Sequence, residues 1–322
     1  MGGKIVAVDL GATKILTGIA TKAGDILETV KIMTRSERSA GDIIADISSS
    51  VEYIINKSGT DYSQIDAVGI CVPGPISYPE LVIHDSPNLK WNRVEIKREL
   101  EARIKKPLIV EKDANMAAWG EFFFGQNQRY RHLLYITVST GVGCGLILDG
   151  QIYRGSMGGA GEFGHIVVDP SGPFCACGRQ GCLEAIVSGR AIAKKAQSLS
   201  DRTGALAGSP GAREVGMAAE QGDSLAQAIV DEVIYFLGIG IANLVNLLNP
   251  EIVVLGGGVA LGYQRLIERP LREQVEKNVF PMHREKLKLE FTGLGDNVGL
   301  YGCVAAVLQT DRGKKLEYKP YT

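Results

Sequence analysis

The chain has 322 residues, 45% of them hydrophobic, with a formal net charge of −1, a composition that fits two domain-sized cores. Acidic and basic residues nearly cancel and are scattered, which excludes a basic face for a nucleic-acid backbone or an anionic membrane. The chain enters a strand-like apolar run within a few residues, without a charged leader and cleavage site, so a cytoplasmic location is expected.

The first segment, KIVAVDLGATKILTGIATKAGDIL from Lys4 to Leu27, reads as strand, glycine turn, strand, Ala-Gly-Asp turn and strand. Its loop Asp9-Leu10-Gly11-Ala12-Thr13-Lys14 could hold phosphate oxygens on backbone N–H groups and the Thr13 hydroxyl, with Asp9 facing a hydrated Mg²⁺. Taken alone, it is better explained as an ordinary hairpin turn. A helix over Gly41 to Lys57, the strand AVGICV ending in Pro73-Gly74-Pro75, a helix near Val94 to Ile104, the strand PLIVEKD and a helix from Ala114 to Phe124 follow. In VEKDAN, Asp113 ends a strand and begins a helix. Such a carboxylate is either a helix N-cap or a base that takes the proton of a hydroxyl attacking a γ-phosphate.

HLLYITVSTGVGCGLILDGQIY, His132 to Tyr153, repeats the opening layout. Two hairpin copies predict a duplicated α/β architecture with the function between the halves. The second hydroxyl-and-glycine loop, with Ser139, Thr140, Gly141 and Gly143, changes the reading of the first, because two such loops can clamp a triphosphate from both sides. No Walker A sequence is present.

In GGAGEFGHIVVDPSGPFCACGRQGCLE, the residues His165, Cys175, Cys177 and Cys182 supply one imidazole and three thiolates with the spacing H-x₉-C-x-C-x₄-C. Clustered thiols in a reducing compartment point to metal rather than disulfides. Four protein ligands make a closed set suited to a structural Zn²⁺, with no open position for a catalytic water. Glu162 and Glu184 bracket this segment; each, considered singly, is a surface charge. Helices are expected over Arg190 to Ser198, Ala212 to Gln221, Leu225 to Leu248 and Gln264 to Asn278. The apolar run VIYFLGIGIANLVNLL, Val233 to Leu248, is shorter than a typical span of about 20 residues and contains two asparagines, so it reads as a buried core helix. Between the last two helices, Glu251 to Ala260 reads as a strand whose Gly256-Gly257-Gly258 turn lets a flat ligand such as adenine approach bare backbone.

In order along the chain, DLGATK, PGP, SPNL, VEKDAN, STGVGCG, GEFGH, CACGRQGCLE and LGGGV resemble the motifs of the ROK family of sugar kinases and regulators, and within it the ATP-dependent glucokinases. The resemblance implies an actin-like ATPase (ribonuclease H-like) fold: one α/β domain over 1–113, completed by a C-terminal helix at 303–322, a second over 114–302 carrying the zinc loop, and a cleft between them. It implies ATP with Mg²⁺ in that cleft, a structural Zn²⁺, phosphoryl transfer to the 6-hydroxyl of a hexose, most simply glucose, and a homodimer or homotetramer. Carried over, Asp113 is the catalytic base; Asn88, Glu162, His165 and Glu184 bind sugar hydroxyls. Asp9, Gly11, Thr13 and Lys14 form the first phosphate loop, Thr137 to Gly143 the second, and Gly256 to Gly258 the adenosine loop.

Two positions depart from the family pattern: Lys112 stands where asparagine is usual, and Lys90-Trp91 where glycine-tryptophan is usual. Lys112 is expected to face solvent, because an ammonium beside Asp113 would lower that carboxylate's basicity. Kinases for fructose, mannose, allose or N-acetylmannosamine remain alternatives for the same pattern. A sugar-responsive regulator of the same family is a third; such regulators carry a winged helix-turn-helix ahead of the kinase-like part, whereas here the first phosphate strand begins at Ile5.

Overall fold

The computed structural model describes residues 3–86, 89–126, 130–199 and 206–311. Strands β1 (Lys4–Leu10) and β2 (Lys14–Thr21) are apolar on both faces and almost wholly buried, as central strands covered on both sides must be. β3 (Ile26–Met33) alternates toward solvent and forms an edge. After helix α1 (Ala40–Lys57), strand β4 (Ile65–Val72) joins β1 in parallel. A small meander of β5 (Ile76–Ser77), β6 (Val82–Ser86) and β7 (Trp91–Val94) precedes helix α2 (Ile96–Glu101). β8 (Leu108–Lys112) then completes a five-stranded sheet of order β3-β2-β1-β4-β8. α1 starts where the Ser39 hydroxyl accepts from the Asp42 N–H, 3.2 Å. It lays Ile43, Ile47, Val51 and Ile54 against the sheet at helical spacing.

Helix α3 (Asp113–Phe124) leads to β9 (Leu133–Val138), β10 (Val142–Leu148) and β11 (Gln151–Ile152). Helices α4 (Glu184–Val187), α5 (Gly189–Leu199), α6 (Ala212–Glu220) and α7 (Ser224–Leu248) follow. Then come β12 (Ile252–Gly256), α8 (Gly258–Gly262), α9 (Gln264–Asn278), α10 (Pro281–Arg284), β13 (Lys288–Phe291) and α11 (Val298–Asp311). The second sheet has the order β11-β10-β9-β12-β13. In both sheets the first three strands in chain order are antiparallel, the fourth joins the first in parallel and the fifth joins the fourth in parallel. The protein is therefore built on a duplicated α/β unit, the actin-like ATPase fold that its motifs imply.

Each sheet has its own core, and a third core joins them. In the third, Met116 and Trp119 of α3 and Leu300 and Val304 of α11 pack with Ile5 of the first sheet and Tyr135 of the second. The two helices cross at backbone contact: a Cβ on Gly302 would lie 1.9 Å from the Met116 carbonyl oxygen, and one on Gly120 2.6 Å from that of Val298. Only glycine permits this approach.

α7 is long and apolar enough to cross a bilayer by length and composition, yet more than half of its most apolar window is buried in the second core. Several elements differ from the sequence reading, which has no counterpart for α4, α10 or β13. The strand expected over Glu251 to Ala260 stops at Gly256, because Gly257 turns to φ +89° and starts α8. The meander β5 to β7 was not anticipated, its strands being too short for periodicity to show. The helix expected from Val94 to Ile104 is confined to α2. α11 begins at Val298 rather than 303, after a turn at Gly295–Asn297; residues 312–322 lie outside the described part.

Candidate active site at the strand ends

The two hairpin loops sit at equivalent ends of the two sheets. In the first, the Gly11 N–H donates to the Lys14 carbonyl at 2.9 Å and the Thr34 hydroxyl donates to the Gly11 carbonyl at 2.7 Å, while Thr13 is left exposed. Asp9 at the end of β1 accepts from the Cys71 thiol, 3.1 Å. Burial raises its pKa, opposed by that thiol and by the Lys14 ammonium. In the second loop, the Val142 N–H donates to Glu184 Oε2 at 2.9 Å. The other oxygen of that carboxylate lies 3.7 Å from Arg190 Nη2. Glu184 thus ties the second loop to the helix that follows the cysteine segment.

Asp113 is the first residue of α3, with Lys112 in the cap position, so the plain N-cap reading is replaced by a carboxylate accepting from the adjacent Ala114 N–H, 2.7 Å. Burial pushes its pKa up to about 6, against the pull of the Lys112 ammonium and the Ala114 N–H, with Asp9 and Glu162 adding to the rise. Those charges come from β1 and from the loop after β11, so three segments converge on this carboxylate.

Lys112 does not face solvent. Its side chain is 7% exposed and its Nζ lies 2.6 Å from Glu162 Oε1. The expectation failed because the ammonium finds a carboxylate from the other half of the molecule, a partner no local pattern reveals. Glu111, one residue earlier, is also buried. It accepts from Arg154 Nε at 2.7 Å, the Lys112 N–H at 2.9 Å, Asn115 Nδ2 at 3.0 Å and the Tyr78 hydroxyl. The Arg154 guanidinium stacks 5.3 Å above the Tyr78 ring and 5.6 Å above that of Trp119.

The cysteine segment folds back on itself through bridges pairing Val167 with Cys182 and Phe174 with Gln180. His165, Cys175, Cys177 and Cys182 present ligand atoms that all lie within 4.8 Å of one another. Cys175 Sγ is 3.6 Å from His165 Nδ1 and Cys177 Sγ 3.6 Å from Cys182 Sγ. A tetrahedral Zn²⁺ with bonds of about 2.3 Å puts its sulfurs about 3.8 Å apart, so these four residues fit that ion. The backbone N–H of Arg179 brings the Cys177 thiol down to about 6. With Nδ1 of His165 turned to the cluster, its Nε2 is left 4.0 Å from Glu162 Oε2.

A cavity of about 700 Å³ opens beside the second loop, lined by Ser139, Thr140, Gly258, Gly216, Met217 and Tyr263 among others. Of the glycine triplet, Gly258 lines it, whereas Gly256 is turned inward: a Cβ there would meet the Tyr135 hydroxyl at 1.9 Å. The α6 residues were missed by sequence reasoning. Their one signal was the small-residue face of GAREVGMAAE, which does not say what packs on it. Arg154, Tyr78 and Glu111 were missed for the same reason. Asn88 lies outside the described residues.

The ROK family model matches residues 5–310. A curated glucokinase of Halalkalibacterium halodurans is 34% identical over 310 residues, 92% of each chain. The crystal structure of a ROK family glucokinase from Streptomyces griseus in complex with glucose and AMPPNP superposes with a TM-score of 0.81 at 33% identity, covering 94% of this chain and 98% of that one. The xylose repressor of Caldicellulosiruptor bescii is 30% identical across 95% of this chain and 78% of its own length.

Proposed function

The chain belongs to the ROK family, and on that premise we propose that it transfers the γ-phosphoryl group of ATP to the 6-hydroxyl of a hexose, with glucose as the substrate. The observation that carries the reading is the desolvated Asp113 at the start of α3, in the field of Asp9 from the first hairpin and of Glu162 from the loop before the cysteine segment. A sugar hydroxyl is a poor nucleophile until a positioned base takes its proton. Asp113 accepts that proton as the oxygen attacks in line. The first loop, Asp9, Gly11, Thr13 and Lys14, and the second, Thr137, Ser139, Thr140, Gly141 and Gly143, hold the phosphates, and the cavity beside Gly256 to Gly258 takes the adenosine. Mg²⁺, held through Asp9, offsets phosphate charge when bound. Asn88, Glu162, His165 and Glu184 orient the sugar. Glu184 therefore has two tasks, since one oxygen also holds the Val142 N–H.

A coupled assay of ADP release against glucose, fructose, mannose, allose, N-acetylmannosamine and xylose tests the proposal. Glucose is expected to give the highest kcat/KM. The likeness to a xylose repressor favours a second reading as a sugar-responsive regulator, which predicts xylose binding without ADP release.

Because Asp113 acts in its ionised form and titrates at about 6, kcat/KM for the best hexose, which follows the free enzyme, is expected to hold above that pH and to fall about tenfold per unit below it. A profile from pH 5 to 8 that stays flat contradicts the assignment.

The four soft ligands hold Zn²⁺ as scaffold, which fixes the loop from Glu162 to Glu184. Cys177→Ser, or a strong chelator, is expected to weaken glucose binding about tenfold or more, about 1.4 kcal/mol, and to weaken binding of an ATP analogue less. Separate calorimetric titrations, with zinc content measured alongside, decide this; undiminished glucose affinity in zinc-free protein makes the cluster a bystander.

A further inference from the structure

Lys112 stands alone among the described residues as a lysine or arginine inside the buried set, at 6% exposure. An ammonium removed from water must be paired, and its partner is Glu162, on the loop after β11. Its neighbour Glu111 is paired with Arg154 of the same loop. Successive strand residues point to opposite faces. Two ion pairs of opposite polarity therefore join the end of β8 to the segment 154–162, directly before Asp113.

The two pairs are built differently. Glu111 is 1% exposed on its side chain and has both oxygens engaged by Arg154, Asn115, Tyr78 and a backbone N–H, so nothing remains to meet a ligand. Glu162 is 41% exposed. Lys112 holds its Oε1, while its Oε2 stands 4.0 Å from His165 Nε2. Half of this carboxylate is thus fixed and half is open beside the imidazole. We infer that Lys112 is a positioning residue for the sugar: its ammonium anchors one oxygen of Glu162 so that the other is presented, with His165 Nε2, to a hexose hydroxyl. This rests on the hexose-kinase reading above.

The physical reason is charge. Asp9, Asp113 and Glu162 all act on one small region, and like charges there disfavour ordering Glu162 inward. An ammonium offsets that repulsion and supplies donors but no acceptor, so it leaves the acceptor role to the free oxygen. Without it, Glu162 has solvent to turn to and no reason to stay.

A double-mutant cycle tests the inference, with glucose and ATP as substrates at pH 8, where Asp113 stays ionised. Lys112→Met and Glu162→Gln are each expected to raise the glucose KM about tenfold, and the double variant no more than about threefold beyond the larger single effect, because the second change removes nothing further. The ATP KM is expected to stay within about twofold and kcat within about fivefold, and Lys112→Arg to recover most of the loss. Lys112→Gln carries the same expectation should the methionine variant be insoluble. Additive losses, an unchanged glucose KM, or an equal rise in the ATP KM overturn the role of Lys112 while leaving the kinase reading standing. Wild-type protein that turns over no hexose overturns both.

Discussion

Asp113→Asn is expected to lower kcat by about 10²-fold or more with the fold intact. The substitution keeps the size of the side chain, and the amide oxygen can still accept from the Ala114 N–H that Asp113 engages at 2.7 Å. What it removes is basicity. The carboxylate lies where burial pushes its pKa up to about 6, a value that leaves it ionised at neutral pH and still basic enough to take a proton in the transition state. An amide has no comparable affinity for a proton, so the hydroxyl must attack without that help. The ATP-analogue affinity and the melting temperature should remain close to those of the wild type. A variant that keeps most of the wild-type kcat refutes the role of Asp113, whatever happens to the sugar KM.

Arg154→Met is expected to cost about 3–5 kcal/mol of stability, the range for removing one partner of a buried ion pair. Glu111 is 1% exposed on its side chain, and its remaining partners after the change, Tyr78, Asn115 and the Lys112 N–H, are neutral donors that cannot balance a full charge. Methionine preserves contact with the Tyr78 and Trp119 rings, which stack on the guanidinium at 5.3 and 5.6 Å, so the loss reports chiefly on charge. Adding Glu111→Gln to Arg154→Met should recover part of it, since a neutral amide oxygen can keep the three donors without stranding a charge. Urea melts of the wild type, the single and the double variant measure both effects. A single variant within 1 kcal/mol of the wild type removes the pair from any account of how the halves are held.

The residues whose chemistry depends on near neighbours in the chain were legible. The two glycine hairpins repeat a pattern short enough to read directly, and they occupy equivalent ends of sheets with equivalent strand order. His165, Cys175, Cys177 and Cys182 fall within eighteen positions, so one compact loop can gather them. Asp113 could be placed at a strand-to-helix junction because the short apolar run of β8 and the alanine-rich, helix-favouring segment that follows it adjoin in the chain.

Lys112 marks where this kind of reading stops. The expectation that it faces solvent followed from Asp113 alone; the outcome was decided by Glu162, fifty positions away, which converts a charge that would have been expensive to bury into one half of an ion pair. Glu111 with Arg154, Gly120 with Gly302 against the facing helix backbone, and α6 with the Gly258 loop belong to the same class. Periodicity and spacing report what a segment does with its own neighbours, since helices and strands are held by short-range bonds and by a face that repeats every two or 3.6 residues. Which charge meets which, and which backbone approaches which, depends on how two sheets are set against α3 and α11, and that arrangement exists only once the three cores have closed.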